Sequence, residues 1–386
     1  MEELFHRFNP WWEEGITLEF HPRPSYLARM GRYLRTKDVV ILTGLRRIGK
    51  TTLIKLFIDR LIKEEGIDPQ YIFYVSLDYY GLEKYSILEI VDIYRKIKRI
   101  PFTQKIYLFL DEVAYKRDFA IQLKNLYDMS NAKIYVSSSS SSVLKDEKAL
   151  LTGREKIIEV LPLDFEEFLD FRGIKIKKDS THLIEAYFED YMKIGGLPEY
   201  VLFEDIEYIK QLIDDVLYKD IIAHYNIRSK EPIREFFFLL MERVGKQVSL
   251  NKIAKILKIG VDTAKRYLSY FRETYLIYTM DRCEKLNERL RAPKKVYAGD
   301  IGMRNALTGY RDKGALFENL VFFKIKNKNP CYLYKDKIEI DFMTEEGDLI
   351  EVKFNAQMTD QQMKLFESIR ARNKILINNV GSFLAS

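Results

Sequence analysis

The stretch Val39-Val40-Ile41-Leu42-Thr43-Gly44-Leu45-Arg46-Arg47-Ile48-Gly49-Lys50-Thr51-Thr52-Leu53 constrains this chain more than any other. β-Branched and aliphatic residues run into Gly44, four residues intervene, Gly49-Lys50-Thr51 follows, and an amphipathic pattern resumes at Leu53. The order is strand, glycine loop, helix. Glycines let the backbone wrap close around an anion, and the N–H groups of the loop and of the helix N-terminus then point at phosphate oxygens. In that frame Gly44, Arg46, Arg47, Gly49 and Thr52 line the phosphates of ATP, Lys50 reaches the β- and γ-phosphates, and the Thr51 hydroxyl is placed for Mg2+. A glycine turn that happens to precede a lysine would leave the full GxxxxGK[ST] spacing, between a strand and a helix, unexplained.

A second element belongs with the loop. Lys105-Ile106-Tyr107-Leu108-Phe109-Leu110 runs into Asp111-Glu112, which reads as a strand buried on both faces with acids at its C-terminal edge, where open α/β sheets bind ligands. Asp111 follows Thr51 by sixty residues, room for one strand and two helices. It is expected to hold the magnesium shell, and Glu112 to orient or polarise the attacking water. The strand at residues 133–136 leads into six serines at 137–142, of which Ser137 or Ser138 is a candidate γ-phosphate sensor, the alternative being a serine-rich cap. Arg154, after Gly153, is a candidate transition-state finger, in cis or in trans, or an ordinary surface arginine.

The 386 residues, 47% of them hydrophobic, exceed one ordinary core and predict two to four domains. The only cysteines are Cys283 and Cys331 and the four histidines are scattered, so neither a disulfide framework nor a zinc site is expected, and a reducing, cytoplasmic setting fits. The longest strongly apolar run, residues 236–241, is far short of a membrane span, and no signal pattern opens the chain. The net charge of +6 is unevenly placed: residues 242–295 hold 14 Lys+Arg against 6 Asp+Glu, a local +8. An acidic polymer would be drawn there, although a solvated lysine-rich surface gives the same count.

Asn9-Pro10-Trp11-Trp12-Glu13 carries both tryptophans and reads as an arm packed on the nucleotide-binding core. A helical region opening at Asp164 reaches Gly195-Gly196-Leu197-Pro198, where the helices break; it reads as a lid over the nucleotide, with Pro198 either touching adenine or ending a helix. In the basic segment a helix capped by Ser249, a turn at Lys258-Ile259-Gly260 and a second helix that Asp262 can cap form a helix-turn-helix pattern. Its inward residues are Ala264, Tyr267, Leu268 and Phe271, with Lys265 and Arg266 outward. Near the C-terminus a helix at residues 314–323 contains Glu318, and two alternating strands joined by a tight turn carry Asp341, then Glu351 and Lys353. Two carboxylates about a metal ion, with a lysine near the attacking water, can hydrolyse a phosphodiester. A cross-strand charge ladder on an exposed sheet is the plain alternative.

With these residues assembled, the chain resembles the archaeal and bacterial AAA+ ATPases that carry a winged helix and a C-terminal restriction-endonuclease-like (PD-(D/E)xK) domain. The resemblance implies an α/β fold: a P-loop NTPase core of AAA+ type with a parallel sheet and N-terminal arm at residues 1–160, a helical lid at 161–230, a winged helix-turn-helix at 231–292 and a small nuclease-like domain at 293–386. It implies ATP and Mg2+ as cofactors, with Thr51 and Asp111 on one metal and Glu318, Asp341 and Glu351 on another. Lys50, Glu112 and Arg154 would act in ATP hydrolysis, and Asp341, Glu351 and Lys353 in cleavage. Duplex or branched DNA is the implied partner, no membrane is, and self-association is left open. Two activities fit: an ATPase that couples its cycle to DNA processing, with cleavage left open, or a slow nucleotide-controlled switch whose nuclease-like domain is silent.

Overall fold

The computed structural model describes residues 1–13, 20–141, 153–176 and 182–386. These form two compact units, Met1–Leu161 and Pro162–Ser386.

The first unit is built on five parallel strands, β1 (Val39–Thr43), β2 (Ile72–Ser76), β3 (Ile106–Asp111), β4 (Ala132–Ser138) and β5 (Glu155–Glu159), in the order β2-β3-β4-β1-β5. β1 and β4 are buried along their whole length, as aliphatic runs between helices must be in a parallel sheet. The helix Lys50–Lys63 follows the glycine loop directly. Helices Ile87–Ile97 and Phe119–Met129 carry the chain into and out of β3. β5 has no counterpart in the sequence reading. It is short, charged at both ends and only partly buried, and its register with β1 (Val39 opposite Glu155, Thr43 opposite Glu159) reveals it.

The arm packs on this unit. β2 is an edge strand, and an edge exposes unpaired backbone groups. Asn9 closes that edge like a short strand: its Nδ2 donates to the Tyr74 carbonyl at 2.9 Å and its Oδ1 accepts from the Tyr74 N–H at 2.7 Å. The Trp11 and Trp12 indole N–H groups donate to the Ile72 carbonyl at 3.3 and 3.0 Å, and the Trp12 ring stacks against Tyr94.

The second unit opens with helices, the first (Phe165–Phe171) set by a capping box between Asp164 and Glu167. Helices Leu183–Ile194, Pro198–Phe203, Ile206–Asp215 and Glu231–Met241 follow. A three-stranded sheet, order β6-β8-β7, comes next: β6 (Gln247–Val248), β7 (Ile277–Met280) and β8 (Lys294–Ala298), with helices Leu250–Ile256 and Val261–Glu273 between its first two strands. The second of those helices is capped by Gly260; Asp262 lies inside its first turn instead of capping it. β8, which the sequence reading groups with the C-terminal region, pairs with both β6 and β7.

Helices Ile301–Thr308 and Lys313–Ile325 lead to a four-stranded sheet of β9 (Cys331–Lys335), β10 (Ile338–Met343), β11 (Asp348–Val352) and β12 (Asn373–Ile377), order β12-β11-β10-β9. β10 runs antiparallel to β9 and β11, while β12 runs parallel to β11. One large apolar core, including Phe188, Tyr297, Phe317, Phe322 and Phe342, joins the helices to this sheet.

The cysteine expectation is corrected. Cys283 and Cys331 form a disulfide, with Cα atoms 5.1 Å apart, beside a backbone bridge between Arg282 and Tyr332. Spacing in the chain hid a pairing that the turn after β7 creates, and cysteine usage therefore gives no support to a reducing compartment. Among the described residues no helix is long and apolar enough to cross a membrane.

Candidate functional site

The C-terminal edge of the parallel sheet gathers the loop and the acidic strand end. Gly44 passes so close to the end of β5 that a Cβ there would lie 2.4 Å from the Val160 carbonyl oxygen, and Gly49 caps the helix at φ +95. Both glycines are therefore required by backbone geometry. Arg46 and Arg47 are half-buried in the same loop, Arg47 with a left-handed backbone. Lys50 is buried, and its Nζ donates to the Gly44 and Leu45 carbonyls at 3.0 and 3.1 Å, which folds the loop around its own ammonium. Thr51 and Thr52 occupy the first turn, and Thr51 Oγ1 donates to Asp111 Oδ2 at 2.7 Å.

Asp111 is held by three hydroxyls. Besides Thr51, the Tyr74 phenol donates to Oδ2 at 2.9 Å and Ser137 Oγ donates to Oδ1. Burial, with the Asp111 charge added, pushes the Tyr74 phenol far above its ordinary range, so it stays a donor. Glu112, next in the chain, sits in the left-handed region at φ 53, an uncommon conformation for a residue with a side chain. Its N–H donates to Ser137 Oγ at 3.0 Å. Its carboxylate is clasped by Ser139, from Oγ to Oε1 at 2.6 Å and from the N–H to Oε2 at 3.2 Å. Ser139 Oγ also accepts from Lys50 Nζ at 2.9 Å.

Several expectations change. Ser137 hydrogen-bonds the two acids and Ser138 hydrogen-bonds within its own loop, while Ser139 touches both Lys50 and Glu112. Ser142, last of the serine run, lies outside the described residues. Arg154 does not reach this edge of its own sheet, so the structure brings it nowhere near Lys50 in cis. Its carbonyl accepts from the Val39 N–H at the start of β1, the end of the sheet opposite the loop, and its guanidinium lies 3.7 Å from Asp128 and over the Tyr127 ring. Pro198, in the second unit, starts the helix Pro198–Phe203 instead of ending one. Tyr74 and Ser139 were missed: the first is one aromatic among several in a strand, the second one serine of six.

The donor set fits Mg2+ and a nucleotide. A threonine hydroxyl and a carboxylate share one hydrogen bond beside a glycine cradle, and a buried ammonium stands within that cradle.

The second unit brings Glu318, Asp341, Glu351 and Lys353 together. All three acids are buried, which removes the exposed charge ladder. The Asp341 N–H donates to Glu351 Oε2 at 3.1 Å, and Lys353 Nζ lies 2.6 Å from Glu351 Oε1. The basic excess of residues 242–295 is not all surface charge. Lys295, one of the 14 Lys+Arg there, is fully buried, with Nζ 2.7 Å from Glu318, 2.6 Å from Glu339 and 2.8 Å from Asp341. Burial opposes its charge, but Asp341 and Glu318 outweigh that and hold the ammonium well above the usual lysine range. Burial, reinforced by Asp341, pushes Glu318 up to about 8 and Glu351 up to about 7. Elsewhere in this unit the helix Val261–Glu273 buries Ala264, Tyr267, Leu268 and Phe271 and exposes Lys265 and Arg266. Lys252, Lys255 and Lys258, on and just after the preceding helix, are exposed too.

Residues 36–169 match the family described as an AAA domain (AAA_14). This part of the chain is a P-loop AAA ATPase domain. Residues 185–314 match a domain of unknown function (DUF8612). Along most of its length the chain is similar to an uncharacterized protein of Methanocaldococcus jannaschii, 28% identical over 365 residues, 89% of this chain and 80% of the relative. It is also similar to an uncharacterized protein of Haemophilus influenzae, 26% identical over 382 residues, 92% of each chain. Among solved structures, a Walker-type ATPase of Pyrococcus abyssi aligns with a TM-score of 0.44 at 16% identity, covering 75% of this chain and 96% of that one.

Proposed function

We propose that this AAA domain hydrolyses ATP with Mg2+ and that the cycle controls engagement of duplex DNA by the basic helix pair of the second unit. The observation that carries the ATPase part is the chain of hydrogen bonds from Lys50 through Ser139 to Glu112, beside Asp111 and Thr51. Thr51 and Asp111 would hold Mg2+, which supplies positive charge against the phosphate oxygens when bound. Lys50 neutralises phosphate charge from within the loop. Glu112 accepts hydrogen bonds at both carboxylate oxygens, so it is already oriented as the group that positions and deprotonates water. Ser139 links that group to the phosphate-facing ammonium and so relates γ-phosphate occupancy to the base.

The DNA part rests on charge and exposure. Lys252, Lys255, Lys258, Lys265, Arg266 and Arg272 are exposed on or beside the two helices. The Lys265 contact to Asp262, at 3.0 Å between highly exposed groups, is too weak to withhold that lysine from phosphate. With β6, β7 and β8 the helix pair has the element order of a winged helix, and its second helix is the groove-entering candidate. Of the two activities the resemblance implies, the nucleotide-controlled switch with a silent nuclease-like region is favoured by one observation, the Lys295 ammonium among the carboxylates.

Fluorescence anisotropy with a labelled duplex across a salt series tests the DNA part. Binding should weaken linearly in log salt, and reversing both Lys265 and Arg266 to Glu should lower affinity at least about tenfold and flatten the slope. A folded double mutant with unchanged affinity and slope overturns the assignment.

A further inference from the structure

The chemistry expected at Glu318, Asp341 and Glu351 needs a divalent cation with open carboxylate oxygens around it. The structure gives five of these six oxygens other partners, Glu318 Oε2 being the sixth. Lys295 Nζ has three donors and three carboxylates within 2.8 Å, so its hydrogen-bonding capacity is complete. Glu318 Oε1 also accepts from the Tyr297 phenol at 2.7 Å. Asp341 Oδ2 accepts from the Val352 N–H at 3.0 Å. Glu351 Oε1 accepts from Lys353 at 2.6 Å and from Gln362 at 3.3 Å, and its Oε2 from the Asp341 N–H. Among the described residues there is no group of three or more His, Cys, Asp or Glu that could hold a metal ion.

Lys295 is also poorly placed to leave. Its backbone lies in the central strand of the three-stranded sheet, opposite Gln247 on one side and Met280 on the other. On the next residue but one, the Tyr297 ring stacks on Phe322 at 4.1 Å and on Phe342 at 6.2 Å, so the wall beside the ammonium is aromatic. Moving a buried ammonium off its carboxylates leaves unpaired charge on both sides, a larger cost than an exposed pair would carry.

We infer that the Lys295 ammonium takes the place of a divalent cation in this cluster, making it a metal-free ion-pair lock between the three-stranded and four-stranded sheets of the second unit. The lock joins β8 (Lys295) to the helix Lys313–Ile325 (Glu318) and to the β10–β11 hairpin (Asp341, Glu351), and so ties the sheet that carries the basic helix pair to the C-terminal sheet. The inference rests on the reading in which the nuclease-like region is silent, and it names the residue that silences it.

The test uses the full chain without nucleotide and follows Mn2+ binding by electron paramagnetic resonance. Wild type and Asp341→Asn should bind Mn2+ equally, and Lys295→Met should melt several degrees below wild type. A wild-type Mn2+ site that Asp341→Asn abolishes overturns the inference, as does a Lys295→Met protein as stable as wild type. If Lys295→Met does not fold, the wild-type and Asp341→Asn comparison decides alone. Linear, nicked and branched DNAs with Mg2+ or Mn2+ and ATP separate the two levels. Asp341-dependent Mn2+ binding without cleavage defeats the lock but leaves the silent reading standing, whereas cleavage lost in Asp341→Asn defeats both.

Discussion

Ser139 Oγ lies 2.6 Å from Glu112 Oε1, and the Ser139 N–H holds the other carboxylate oxygen at 3.2 Å. One residue thus fixes the orientation of the group assigned to water activation, while its hydroxyl also receives the Lys50 ammonium. Ser139→Ala keeps the N–H and loses the bridge. Its kcat should fall up to about 100-fold, the cost of misplacing a catalytic group by about 1 Å, with the Kd for ATP within about threefold of wild type. A kcat equal to wild type, or a loss carried wholly by Kd, would show that the bridge does not orient the base.

Tyr74 acts one step further out. Its phenol shares Asp111 Oδ2 with Thr51, and its backbone is clamped by Asn9, so the arm, the edge strand and the acidic strand end form one connected set. Removing a hydrogen bond to a charged group costs about 1.5 to 3 kcal/mol. Tyr74→Phe should therefore raise the Mg2+ concentration for half-maximal ATPase rate about tenfold, with a smaller change in kcat at saturating Mg2+. An unchanged Mg2+ dependence would reduce Tyr74 to a packing residue.

Asp300 gives the second unit a pH signature. It is buried, caps the helix Ile301–Thr308 and accepts from the Gly196 N–H at 2.7 Å and the Met303 N–H at 2.9 Å. Burial nevertheless outweighs those bonds and raises its carboxyl from 3.8 to about 6. The folded chain then binds this proton more tightly than the unfolded chain, so the stability it contributes is present below about pH 4 and is lost as pH rises through about 6. The loss is on the order of 3 kcal/mol. Urea unfolding of wild type and Asp300→Asn from about pH 4.5 to about 7.5 should show the two diverging with pH. A stability difference that stays constant across that range contradicts the assignment.

What was legible in the sequence was what the backbone demands. The glycine loop, the buried strand ending in Asp111-Glu112 and the helix pair each carry a periodicity or a spacing that only one local structure satisfies, and all three form with those residues in those places. Asp341 and Glu351 could be brought together on paper because a tight turn sets the hairpin register. The missing information was tertiary. Six consecutive serines are chemically alike, and only the end of β4 decides that Ser139 faces Lys50. Nothing in the chain says at which end of the sheet Arg154 falls, and parallel strands put the residue before β5 at the edge opposite the loop. A charge count gives Lys295 the same weight as Lys265, although one is sealed among carboxylates and the other is exposed. Cys283 and Cys331, 48 residues apart, meet only because the turn after β7 runs beside β9.

The central claim is that Lys50, Asp111 and Glu112 form an ATPase centre in which binding and hydrolysis are separable. Steady-state phosphate release and equilibrium ATP binding, measured together on wild type, Lys50→Ala, Asp111→Ala and Glu112→Gln, test it most directly. Wild type should show Mg2+-dependent turnover, Lys50→Ala and Asp111→Ala should lose it, and Glu112→Gln should bind ATP normally while hydrolysing it at least about a hundredfold more slowly. Turnover by Glu112→Gln at the wild-type rate would contradict the account.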